Sequence, residues 1–320
     1  MQNTLLASLG RPLWRLLDAH NVDADALFKR VGLDPELINE PRTRYPYDLL
    51  CKAWSEAAVI TGQEHVGLEV ATHFTPLDLN ALGVTFLTSA TLTDALARLV
   101  RYESVLNSNL KFEIIESQER LDFTGRVANV PAEAVKIIED ARMAVLVSIA
   151  RMGLNNDMDP VEVAFTYPEP QSTGNHFGVF RCPLLFSQPV SRISFSQADS
   201  HRPFTDANRD LAVSNDRFLD ELLRDLNSSD LVTRVKRAII EELPSGSPAE
   251  EKIARRVFVS GRTLQRRLAE EDTSFRQLVL EVRRELAEKY ISDKNMPLAE
   301  ISYMLGFSDA SSFSRAFKSW

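Results

Sequence analysis

Two short helix pairs near the end of this 320-residue chain constrain its fold more than any other feature. The first opens at Ser247-Pro248-Ala249-Glu250, a capping box with proline at the first helical position. It predicts a helix over 249–257 that buries Ile253, Ala254 and Val257. Ser260 then caps a second helix, expected over 260–271, whose Leu264 and Leu268 form an i,i+4 apolar ridge. A long helix over 275–292 follows, and the arrangement recurs. Pro297 opens a short helix that stops at Gly306, and Ser308 or Asp309 caps a last helix over 309–318. Phe313 and Phe317 are its ridge, with Ile301 and Phe307 as further core.

A short helix, a tight turn and a second helix with a polar outer face is a helix-turn-helix. Arg262, Thr263, Gln265 and Arg266 lie off the first ridge; Ser311, Ser312, Ser314 and Arg315 lie off the second. Arginine can donate two hydrogen bonds to guanine and glutamine can read adenine, while hydroxyls and helix N-termini hold phosphates. The charge is divided accordingly. The whole chain carries a net −8, but residues 234–320 hold 16 Lys+Arg against 13 Asp+Glu. The remaining 233 residues hold 21 against 32, so the front is acidic and the tail mildly basic. Spacing and charge alone also fit a plain helical bundle with a solvated arginine face.

The front is of a different kind. Leu13, Leu16, Leu17, then Ala26, Leu27 and Val31 before Gly32, then Leu49, Leu50, Ala53, Trp54 and Ala57 before Gly62, recur at helical spacing, and a helix is expected over 93–106. The period then changes. Residues 110–115 and 121–127 read as a hairpin, 132–152 as a helix, and 161–166 and 192–196 as strands. The expected fold class is therefore an α+β N-terminal domain with a small sheet and flanking helices, followed by an all-α domain of two helix-turn-helix units joined by a long helix. The expected boundaries are 1–205 for the front domain, 206–230 for a connecting helix and linker that ends at Ser228, Ser229 and Asp230, and 231–320 for the tail.

The tail also resembles a known family. Residues 306–318, G-F-S-D-A-S-S-F-S-R-A-F-K, resemble the second helix-turn-helix of AraC/XylS-type transcription regulators almost letter for letter. P-L-A-E-I before them, V-S-G-R-T-L-Q-R-R-L over 259–268 and V-R-R-E-L-A over 282–287 are similar to the same family. The resemblance implies that Arg262, Thr263, Gln265 and Arg266 face bases from the first recognition helix. It likewise implies Ser311, Ser312 and Arg315 from the second, with Lys318 nearer phosphate; Arg315 reads equally well as a structural or phosphate contact. Family members usually continue with a G-x-[ST]-P-x-x-[YF]-R segment and a final helix, which a sequence running to Trp320 is expected to lack. In the front, G-L-D-P over 32–35, V-E-V-A-F-T-Y-P-E-P over 161–170 and H-F-G-V-F-R-C-P-L-L-F over 176–186 resemble the arabinose-binding-type domain of one subgroup. The resemblance thus implies a ligand-responsive activator, a homodimer, whose partners are double-stranded promoter DNA, RNA polymerase and an unidentified small-molecule effector.

Other classes find little support. The five histidines, His20, His65, His73, His176 and His201, show no metal-ligand spacing, and no nucleophile elbow or phosphate loop is present. No catalytic residue, metal or cofactor is expected; His176 reads as a structural hydrogen-bonder. Cys182 reads as a buried apolar residue, and Phe165, Phe177, Phe180, Phe186 and Phe195 as core. The sequence picks out no ligand-binding residues. Cys51 and Cys182 do not form a disulfide framework, and no apolar run approaches the roughly 18 residues of a membrane span. A cytoplasmic location is expected. An adaptor with a protein-binding tail and an enzyme without a motif remain as rival readings.

Overall fold

The computed structural model describes residues 3–40, 42–63, 65–227, 231–257, 259, 261–292 and 296–319. The chain divides into two compact units, one ending at Arg224 and the next starting at Asp225. Among the described residues no helix is long and apolar enough to cross a membrane.

The front unit begins with β1 (Thr4–Leu6), paired antiparallel with β2 (Arg44–Pro46). Between and after them lie α1 (Arg11–Ala19), α2 (Ala24–Val31) and α3 (Tyr47–Thr61). Leu13, Leu16 and Leu17 share the inner face of α1 and are fully buried. The Asp23 carboxylate caps α2 by accepting from the Ala26 N–H at 2.9 Å, and Gly32 ends it with φ +94°. These helices build one apolar cluster with Leu27, Phe28, Leu50, Cys51 and Trp54.

The helix expected over 93–106 breaks. It runs as α4 (Leu92–Arg101), and a separate turn, Glu103–Leu106, follows Tyr102. The break lets the buried Glu103 carboxylate accept from the Phe112 N–H at 2.6 Å and pair with Lys111 at 2.5 Å. The five-stranded sheet comprises β3 (Leu110–Glu116), β4 (Arg120–Val127), β5 (Glu162–Ala164), β6 (Leu184–Leu185) and β7 (Ser191–Ser196), in the order β3-β4-β7-β5-β6. All its pairings are antiparallel except β5 with β6. The strand expected over 161–166 is three residues long, Glu162–Ala164, all three of them paired with β7. Behind the sheet lies α5 (Val135–Gly153), entered through a tight turn at Ala132–Ala134.

Phe165, Phe180 and Phe195 are core as expected, but Phe177 is 60% exposed. The short helix Gly174–Phe180 turns His176 and Phe180 inward and leaves Phe177 on its outer face. His176 is the structural group expected of it: its Nε2 lies 2.9 Å from the Tyr167 hydroxyl and 3.2 Å from the Asp140 carboxylate. Cys51 and Cys182 are both buried and free.

The helix expected as a connector over 206–227 starts at Arg209 as α6 (Arg209–Asn227). It is fastened to the front unit. Arg98 reaches Asp216 at 3.2 Å, and Arg101 and the Tyr102 hydroxyl reach Asp220 at 2.7 and 2.9 Å. Ser228, Ser229 and Asp230 lie outside the described residues.

The second unit is all helical: α7 (Leu231–Glu242), α8 (Glu250–Arg256), α9 (Gly261–Glu270), α10 (Phe275–Ser292), α11 (Leu298–Met304) and α12 (Ala310–Ser319). The capping box at Ser247 does not form. Ala249 is extended, at φ −87° and ψ 133°, so the helix starts at Glu250 with no side-chain cap. Ser260, expected to cap α9, lies outside the described residues.

Candidate nucleic-acid interface

The first pair, α8 and α9, stands on a core that α7 and α10 share. Ile253, Ala254 and Val257 of the first helix and Leu264 and Leu268 of the second are buried among Val235, Ile239, Leu243, Leu278 and Val282. With Leu264 and Leu268 fixed inward at 0% exposure, the helical period turns the opposite face of α9 to solvent. Arg262, Gln265 and Arg266 are exposed there, and Thr263 is half-buried. Arg266 holds Glu270 one turn on at 2.5 Å, with both side chains more than half exposed. Such a pair is weak in water and yields readily to a better partner. Ion pairs brace α8 from behind: Lys252 and Arg256 meet Glu242 at 2.7 and 3.1 Å, and Arg234 donates to the Val257 carbonyl.

The joining helix α10 is 18 residues, about 27 Å at the helical rise. Its first half packs Leu278, Val279 and Val282 into the first core. Its second half gives Ala287 to a smaller cluster with Ile301, Leu305 and Phe313, flanked by Leu286, Tyr290 and Phe307. One rigid element thus carries both pairs.

In the second pair, α11 ends at Gly306, where φ is +71°. A Cβ there would also come within 2.6 Å of the Gly246 carbonyl oxygen and 2.7 Å of that of Leu243. Glycine is therefore required twice, by backbone angle and by close approach. Arg283 of α10 donates to the carbonyls of Leu305 (3.0 Å) and Gly306 (3.3 Å) and lies 4.6 Å over the Phe307 ring. Burial pulls its pKa down. This strap was not evident in the sequence, which placed Arg283 only within a family-like stretch.

Asp309 caps α12 as expected. Its carboxylate accepts from the Ser312 N–H at 2.7 Å and from the hydroxyls of Ser312 (2.8 Å) and Ser308 (3.0 Å), which hold its pKa down to about 2. Phe313 is buried, but Phe317, expected in the core, is 37% exposed. It sits in the last turn, where its ring meets that of Phe313 at 5.7 Å and its outer edge reaches solvent. Ser311, Arg315 and Lys318 are exposed on the outer face. Ser312 is half-buried and its hydroxyl already donates to the cap, while Arg315 lies 3.4 Å from that hydroxyl.

Residues 22–204 match the family described as the arabinose-binding domain of AraC transcription regulator, N-term, and residues 253–320 match a helix-turn-helix domain. The chain belongs to the AraC family of transcription regulators. The ornithine utilization regulator of Pseudomonas aeruginosa is 29% identical to this AraC-family chain over 307 residues, 95% of this chain and 90% of the relative. The HTH-type transcriptional regulator VqsM of the same organism is 23% identical over 284 residues, 83% of each. VirS of Mycobacterium tuberculosis is 31% identical over 141 residues, 43% of this chain and 41% of the relative. The two helix pairs are thus the DNA-binding half of a transcription regulator of the AraC family, and the front unit carries its ligand-binding domain.

Proposed function

We propose that this regulator activates transcription in the cytoplasm as a homodimer whose front domain, residues 1–205, takes a small-molecule effector and contributes to dimerisation. Residues 206–230 connect it to the tail, 231–320, which binds double-stranded promoter DNA and meets RNA polymerase there. Helices α9 and α12 enter successive major grooves, about 34 Å apart on B-form DNA. Arg262, Thr263, Gln265 and Arg266 read bases in the first groove; Ser311, Ser312 and Arg315 contact the second, with Lys318 on phosphate. The observation that carries this reading is the division of α9: a fully buried leucine ridge on one side, and Arg262, Gln265 and Arg266 exposed together on the other. An effector acts by favouring one of two arrangements of the regulator that differ in DNA affinity.

Fluorescence anisotropy with a labelled fragment of the chain's own promoter tests it. Affinity is expected to fall steeply with salt, and Arg266→Ala is expected to cost about 1–3 kcal/mol on the specific site while sparing scrambled DNA. Equal binding of the variant and the wild type to both DNAs removes Arg266 from base reading. Salt-independent binding removes the groove-docking reading itself.

A further inference from the structure

The front unit holds a partly open cavity of about 160 Å³ with walls from Leu9, Leu50, Trp54, Phe74, Leu99 and Val145. Tyr47, Cys51, Trp54, Asn107 and Arg142 are the lining residues with polar side-chain atoms. Asn107 is occupied, since its carboxamide oxygen accepts from the Asn109 N–H at 2.9 Å. Cys51 is a buried thiol whose pKa burial pushes up to about 11, so it behaves as an apolar group.

Tyr47 and Arg142 each keep an unmet hydrogen-bonding atom. Tyr47 is 4% exposed, and its buried hydroxyl has no oxygen or nitrogen partner, only the weakly bonding Cys51 thiol beside it. Arg142, on α5, donates from one terminal nitrogen to the Gly125 carbonyl at 3.3 Å and to the Ser191 hydroxyl, but its buried Nε–H has no partner. Among the described residues no carboxylate forms an ion pair with it. A Cβ at residue 125 would lie 2.2 Å from its other terminal nitrogen, so Gly125 keeps room for the guanidinium. Tyr47 and Arg142 are near enough to act on one another electrostatically.

Arginine cannot escape a buried site by losing its proton. A buried guanidinium that feels the Glu139 carboxylate electrostatically but forms no ion pair with it is only partly compensated, and an anionic ligand would relieve the remaining cost to the fold. The apolar walls limit what else that ligand can be. A sugar would leave most of its hydroxyls facing leucine, valine and phenylalanine without hydrogen bonds. An engineered apolar cavity of about 150 Å³ binds benzene, which sets the scale of what fits here.

We propose that this cavity binds a small apolar monocarboxylic acid, an aryl or branched-chain acid of about six to nine carbons, with its carboxylate on the Arg142 Nε–H and the Tyr47 hydroxyl. The inference rests on the reading of the front unit as the effector-binding part, and gives that effector a chemical class.

Calorimetric titration of the full chain with phenylacetate, 4-methylpentanoate, phenylacetamide, L-ornithine and L-arabinose tests it. At least one of the two acids is expected to bind tenfold or more tighter than phenylacetamide, which keeps the shape and removes the charge. Arg142→Gln is expected to abolish that preference. Val145→Trp, which fills the cavity and leaves Arg142 in place, is expected to block the acids, so the outcome does not depend on one variant folding. Equal binding of acid and amide, tighter binding of L-ornithine or L-arabinose, or acid binding that survives both variants overturns the proposal. Promoter binding is followed on the same samples. A chain that binds promoter but neither acid loses this ligand class alone, whereas a chain that binds an acid but no promoter keeps the cavity assignment and loses the DNA reading.

Discussion

The two helix-turn-helix pairs share one design and differ in what holds them. The first rests on a cluster in which thirteen buried side chains converge from α7, α8, α9 and α10 and the segments beside them. The second, among the described residues, has four: Ala287, Ile301, Leu305 and Phe313. Both pairs carry an arginine strap on a helix-terminal carbonyl, Arg234 on Val257 in the first and Arg283 on Leu305 and Gly306 in the second; around its thin core the second adds the Gly306 close approach and the Asp309 cap, which have no counterpart among the described residues of the first. Their outer faces differ as well. The first presents arginines and a glutamine, which can discriminate bases; the second presents short serines beside one arginine and one lysine, better suited to phosphate. In the proposed reading the first pair reads bases and the second mainly anchors.

If core size sets the order of stability, the largest effect falls on the thin core. Phe313→Ala is expected to cost about 3–5 kcal/mol, as a fully buried aromatic does. Hydrogen exchange followed by mass spectrometry should then show protection lost over 298–319 and kept over 261–287. Loss of protection across both stretches would mean that α10 makes them a single cooperative unit, and the comparison would fail. A smaller effect is expected from Arg283→Met, which keeps the stem and removes the donors to Leu305 and Gly306. Charge-assisted bonds to helix-terminal carbonyls stabilise by about 1–2 kcal/mol net of desolvation. A urea midpoint unchanged by this substitution would reduce the strap to a passive contact.

Local rules carried the reading of the tail further than that of the front. The Leu264–Leu268 ridge, the buried Ile301, the stop at Gly306 and the Asp309 cap are all set within a few residues and are found where the sequence placed them, whereas the Phe313–Phe317 ridge holds only at Phe313. The Ser247 box failed because Ala249, inside it, is extended and the helix starts only at Glu250. The helix over 93–106 broke for a long-range reason too, since Glu103 turns inward to reach strand β3. The cavity was wholly illegible. Tyr47, Gly125 and Arg142 come together through tertiary packing, and nothing in their separate neighbourhoods marks them as a group. Recognition positions on α9 and α12 were named from family resemblance. Periodicity accounts for their exposure but is silent on which base each would meet.

The smallest expected effect is a pH dependence confined to the second pair. Hydrogen bonds from the Ser312 N–H and hydroxyl and from the Ser308 hydroxyl favour the Asp309 carboxylate and lower its pKa from 3.8 to about 2. A depressed acid contributes its stabilisation fully above the unfolded value, near pH 4, and loses it as pH falls through the folded one. The α12 N-terminus should therefore fray between about pH 4 and pH 2, while α9, for which no such carboxylate cap is seen among the described residues, should not share that transition. Amide NMR shifts of Ser311 and Ser312 against those of Thr263 and Leu264 measure the contrast. Asp309→Asn keeps an acceptor for the Ser312 N–H and removes the titration, so its α12 amides should be flat over this range. A midpoint near 4 in the wild type would show that the cap does not hold in solution, and with it would go the carboxylate cap that sets α12 apart from α9 among the described residues.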